Sequence, residues 1–139
     1  MELRVCIDVD DLDRAVEFYR RAFGFSLGRR LGSSWAELGG APVPVDLLAK
    51  GPGSRPTPAA TVLRVYERHW TPVHLDLVVD DLEAAVVRAV AAGARLERDV
   101  EVHAFGRLAL LADPFGHGFC LLQFTGRGYD EVVARMERP

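Results

Sequence analysis

An α+β fold built from two tandem βαβββ modules is predicted by three observations on the 139-residue sequence. At an offset of 70 residues, Val9, Asp10, Asp11, Leu12, Asp13, Ala15 and Val16 align with Val79, Asp80, Asp81, Leu82, Glu83, Ala85 and Val86. A repeat of this kind constrains architecture before any local reading does. Each copy follows a run of period-two alternation, with Leu3, Val5, Ile7 and Val9 on one face in the first and Val73, Leu75, Leu77 and Val79 in the second. Such alternation is that of a strand with one apolar side. Finally, Gly24 and Gly93 stand where a left-handed residue would close the helix that follows each strand.

The elements follow in order. The Asp10–Asp11 and Asp80–Asp81 pairs offer N-cap oxygens and negative charge to the positive end of a helix. Leu12, Ala15, Val16 and Tyr19, and in the second copy Leu82, Ala85, Val86 and Ala89, keep the three-and-four spacing of an apolar stripe. Strand patterns come next: "FSLGRR", "SWAELGG" and "VPVDLLAK" in the first half, "ARLERDVEV", "GRLALLAD" and "GFCLLQF" in the second, with turns at "RRLGSS" and "DPFGHG". Module 1 thus covers residues 1–50 and module 2 residues 73–125. Between them a linker at 51–72 opens with "GPGSRPTP", whose Gly and Pro content breaks regular structure. The apolar run "ATVLRVY" within it is either an extra strand or the fourth strand of module 1 itself. Residues 126–139 read as a short amphipathic helix with Tyr129, Val132, Val133 and Met136 on its apolar side.

Apolar residues make up 49% of the chain and charged residues 27%, enough to bury a core without long disordered segments. A net charge of −3 with no clustered basic face gives no attraction for nucleic acid or acidic lipid, so neither is an expected partner. No run approaches ~18 apolar residues, and the charged start "MELRVCIDVD" carries no signal segment, so a cytoplasmic protein is expected. Cys6 and Cys120 are then expected as free thiols, Cys6 as a small buried hydrophobe.

The opening "DVDDLDRAVEFYRRAFGF", followed in the second half by "VHLDLVVDDLEAAV", "GA" and "DPFGHGFCLLQF", resembles the vicinal oxygen chelate superfamily over nearly the whole chain. That group includes glyoxalase I, ring-cleaving dioxygenases and bleomycin-type resistance proteins, and the small glyoxalase-like proteins are the nearest in texture. The resemblance implies a curved, cup-like mixed sheet, often completed across a homodimer. It also implies a divalent metal held by the first and last strands of each module. At those positions stand Arg4 and His74 on the first strands, Cys120 on the last strand of module 2 and, if "VPVDLLAK" closes module 1, Asp46.

Alternation turns Arg4, Cys6 and Asp8, like His74 and Asp76, away from the helices and toward such a cup. A permanent cation about 5 Å from a divalent ion costs several kcal/mol at an effective dielectric of about 20, which argues against a complete metal site. Asp, His and Cys are nevertheless acceptable zinc ligands, and three ligands with an open position is how catalytic zinc is held. Arg4 in a sheet interior must find an anion, be it Asp46, Asp8, Asp76 or a group on a ligand. His74 is read as a ligand, as a strand histidine satisfied by Asp76 or a backbone carbonyl, or as the base of a dyad with Cys120. His69, His103 and His117 are expected to face solvent, while Trp70 and Phe105 join Trp35 as aromatics of the cup, core or a dimer contact.

The favoured expectation is a small-molecule-binding homodimer without cofactor, its cup lined by Arg4, Trp35, Asp46, His74 and Cys120. The alternative is a lyase, isomerase or dioxygenase in which His74 and Asp46 hold Zn, Mg, Mn, Ni or Fe as a Lewis acid. A third reading is a dimerisation module whose cup is filled by its own side chains.

Overall fold

A computed structural model of the chain describes residues 1–137. The first alternating run becomes strand β1 (Val5–Val9), and Asp11 then caps helix α1 (Leu12–Phe23), its carboxylate accepting from the Arg14 backbone N–H. That cap contributes about 1 kcal/mol. Gly24 closes the helix at φ 72°, and its N–H donates to the Arg20 carbonyl. Strands β2 (Ser26–Leu31), β3 (Trp35–Gly39) and β4 (Val45–Ala49) complete the first sheet in the order β1-β4-β3-β2, with β4 parallel to β1. "VPVDLLAK" is therefore the fourth strand, because Val45 and Leu47 find cover beneath α1.

Module 2 repeats this with β5 (Leu75–Val78), α2 (Leu82–Ala92), β6 (Arg95–Leu96), β7 (Glu101–His103), β8 (Gly106–Ala112) and β9 (Gly118–Phe124). Asp81 caps α2 through the Ala84 N–H, as Asp11 does for α1. The second sheet runs β5-β9-β8-β6, and β7 also pairs with β8. "ARLERDVEV", expected as one strand, is thus two short ones. Between them Glu97 turns aside to accept from Arg68 at 2.8 Å.

The expected stripes hold. Leu12, Ala15, Val16 and Tyr19 are buried on α1, as are Leu82, Ala85 and Ala89 on α2, with Val86 half-buried beside them. The helices pack on one another and share a core, with Phe18 of α1 buried alongside Leu38, Leu111 and Leu121 from the two sheets. Each such large side chain contributes about 1.5–3 kcal/mol by leaving water. No transmembrane-length apolar helix occurs among the described residues.

"ATVLRVY" forms no strand, and Val62, Leu63 and Val65 are exposed. Arg64 folds the segment inward instead, its Nε donating to Asp8 at 2.7 Å and its backbone bonding both ways with Gly53 and Ser54. The linker reaches module 2 through Arg68 and through Gly116, where φ is 86° and a Cβ would lie 2.6 Å from the Glu67 carbonyl oxygen. Near the C-terminus, α3 (Tyr129–Met136) buries none of its residues fully, and Tyr129 rests on Phe105 and Phe124. The end of the expected helix, residues 138–139, lies outside the described residues.

Candidate functional site

Away from the helices, each sheet presents a polar group at its first and fourth strands. In module 1, register sets Cys6 beside Asp46 and Glu37 on the other side of Asp46. Arg4, the residue before β1, lies over this row. Its Nε and Nη2 donate to the two oxygens of Asp46, each at 2.8 Å, and Nη2 also reaches Glu37 at 2.6 Å. Trp35 Nε1 donates to Asp46 at 3.1 Å, while Arg29 donates twice to Glu37, at 3.0 and 2.6 Å. Two cations thus face two carboxylates. The paired arginines hold the Glu37 carboxyl down at about 2, Arg29 contributing most. Asp46 is likewise lowered, by Arg4 against an opposing push from burial.

Module 2 carries the same row in altered chemistry. Register sets Asp76 beside Cys120, with Leu110 where module 1 has Glu37. His74 Nε2 lies 3.1 Å from Asp76 Oδ1, and ligand atoms of His74, Asp76 and Cys120 all fall within 4.8 Å of one another. Burial, and secondarily Asp76, pushes the Cys120 thiol up to about 11. A thiol so held is a poor nucleophile, which disfavours the dyad with His74.

The five expected lining residues therefore fall into two groups. Arg4, Trp35 and Asp46 meet in one sheet, and His74 and Cys120 meet in the other. Glu37 and Arg29 were not anticipated; only the β3–β4 register brings Glu37 to Asp46. Cys6 corrects the expectation of a buried hydrophobe: it is exposed, because it lies on the face that the helices leave uncovered. His117 corrects another. It is half-buried, with Nε2 2.7 Å from the Asp8 carbonyl oxygen, joining the "DPFGHG" turn to β1. In the same turn Asp113 is buried, accepting from the backbone N–H of Phe115 and His117 and from the Tyr19 hydroxyl at 2.7 Å. Trp70 is exposed, and Phe105 stacks on His103 rather than entering either polar group.

A cleft of about 890 Å³ opens between the modules, along the free edges of β1 and β5. Val5, Ile7, Phe23, Leu77 and Phe119 line it, and His74 and Asp76 stand at its polar rim. Of the five expected lining residues, His74 alone borders this cleft. The four-ligand metal site fares no better. Arg4 occupies one ligand position and grips both oxygens of Asp46, so Arg4, Asp46, His74 and Cys120 do not fit a shared divalent ion.

Paired strand-helix-strand modules with a polar group on each sheet define the architecture of the vicinal oxygen chelate superfamily. Within it the chain belongs to the glyoxalase-like domain family, which matches residues 4–122. An uncharacterised protein of Mycobacterium bovis is 32% identical over 141 aligned positions, covering 92% of this chain and 87% of that one. Among solved structures, the genomically encoded fosfomycin resistance protein of Listeria monocytogenes superposes with a TM-score of 0.73 at 17% identity, covering 97% of each chain. A glyoxalase/bleomycin resistance protein/dioxygenase family enzyme of Burkholderia phytofirmans gives 0.68 at 20% identity, covering 88% of this chain and 97% of that one. At these identities the two structures speak for the fold alone.

Proposed function

We propose that this glyoxalase-like protein binds an apolar small molecule as a cytoplasmic homodimer, without the family's two-module metal site. The inter-module cleft carries the reading. Its volume of about 890 Å³ falls within the roughly 300–1,000 Å³ of ligand pockets, and apolar walls with a few polar rim groups are their usual lining. The charge network around Arg4 supports the absence of a two-module metal, since both oxygens of Asp46 are already engaged by Arg4 and one of them also by Trp35.

Titration with anilinonaphthalene sulfonate, an aromatic probe of apolar pockets, tests the reading. Saturable binding is expected, with loss in a variant that fills the cleft, Leu77→Trp, whose fold is verified by circular dichroism. At about 100 times Kd the ligand adds about 2.7 kcal/mol, a rise in Tm of roughly 10 °C. Non-saturating uptake, or equal binding by Leu77→Trp, overturns the proposal. Sedimentation showing only monomer would overturn the dimer.

A further inference from the structure

The two polar rows are related by an exchange. At the repeat offset of 70, Arg4 corresponds to His74 and Cys6 to Asp76, while the strand partners Asp46 and Cys120 trade the carboxylate and the thiol in the opposite sense. A permanent cation heads the first row and a potential ligand heads the second. We propose that module 2 alone binds a soft divalent cation of the zinc type through the His74 imidazole, the Asp76 carboxylate and the Cys120 sulfur, whose thiol releases its proton to solvent as the ion binds, with a fourth position open to the cleft.

Five features of the site carry this. Imidazole, carboxylate and thiolate are all zinc ligands, and thiolate turns preference away from hard ions such as magnesium. Ligand atoms around a tetrahedral ion with bonds of about 2.0–2.3 Å sit roughly 3.5 Å apart. His74 and Asp76 are already as close as that at 3.1 Å, and the whole set lies within 4.8 Å, so side-chain rotation can close it. Backbone pairing fixes Asp76 opposite Cys120, and His74, just before β5, reaches Asp76 through its side chain at 3.1 Å. The nearby cation, Arg98, is ion-paired to Glu101 at 3.1 Å, unlike Arg4, which lies on its would-be ligand. His74 and Asp76 border the cleft, which leaves room for water or ligand on the fourth side.

The test uses the full chain, stripped with a chelator and titrated with zinc against a chromophoric competitor, then with cobalt(II) as a spectroscopic substitute. One ion per chain and a thiolate-to-cobalt charge-transfer band are expected. Cys120→Ser should abolish the band, and His74→Gln and Asp76→Asn should each weaken zinc at least ~10-fold. Asp46→Asn should change neither. The two exposed positions, His74 and Asp76, keep the test valid if the buried Cys120→Ser variant fails to fold. No stoichiometric zinc, no thiolate band in the parent protein, or losses on Asp46→Asn equal to those on Asp76→Asn would overturn the single-module site. Probe binding in the cleft is measured separately, so failure here leaves the proposed ligand-binding function standing.

Discussion

Replacing Tyr19 by Phe isolates the contact that joins the first helix to the turn of the second module. Tyr19 is buried on α1, and its hydroxyl donates to Asp113 Oδ2 at 2.7 Å, across 94 residues of sequence. The substitution keeps the ring in the core and removes only that donor. Asp113 Oδ1 retains the Phe115 and His117 N–H groups, so the carboxyl loses one partner of three. A hydrogen bond to a charged group contributes about 1.5–3 kcal/mol, and removing it strands a buried acceptor, so a loss in that range is expected. For a chain of this size that is a fall in Tm of roughly 6–12 °C. Urea unfolding of the parent, Tyr19→Phe, Asp113→Asn and the double variant would yield a coupling energy of about 1 kcal/mol or more. An alkaline signature accompanies it. Burial first, and Asp113 second, raise the Tyr19 hydroxyl well above 10, so the folded state keeps a proton that the unfolded chain loses near 10. Stability is therefore full below about pH 10 and falls above it, and Tyr19→Phe should flatten that fall. A loss under about 0.5 kcal/mol, a coupling near zero or an unchanged alkaline slope would refute the reasoning.

Glu37 supplies an acid-side counterpart: its carboxyl sits at about 2 when folded, below the ordinary 4.5, so its contribution is present above about pH 4.5 and lost as pH falls toward 2. Glu37→Gln should make acid unfolding shallower over that window, by fluorescence; an identical acid profile counts against the network. Gly116→Ala places a Cβ 2.6 Å from the backbone oxygen of Glu67, at a φ of 86° that alone costs roughly 1–2 kcal/mol in a non-glycine residue. A lowered urea midpoint and faster proteolysis within residues 51–72 are expected, and an unchanged midpoint would show that the linker yields freely.

What the sequence disclosed was set by range. Caps at Asp11 and Asp81, closing glycines and buried stripes depend on neighbours within a few residues, and all were legible. Arg4 was legible as a residue in need of an anion, but selecting Asp46 over Asp8 and Asp76 required the β1–β4 register. Asp8 is taken by Arg64, a residue whose apolar surroundings in "ATVLRVY" read as strand until its own cation turns it inward. Glu37 was invisible because its partners come from β2, β4 and the residue before β1. His117 was misjudged because a polar slot in a turn looks solvated unless the opposite module is known to approach it.

The linker is anchored to Asp8 in one module and to Glu97 in the other. Such a double anchor acts as a built-in crosslink, raising the effective concentration of each module near its own partner to the range, on the order of mM, typical of short tethers. Exchange of modules between two chains must compete against that local concentration. Cutting the Arg64–Asp8 or Arg68–Glu97 tie would shift the balance from pairing within a chain toward swapping between chains.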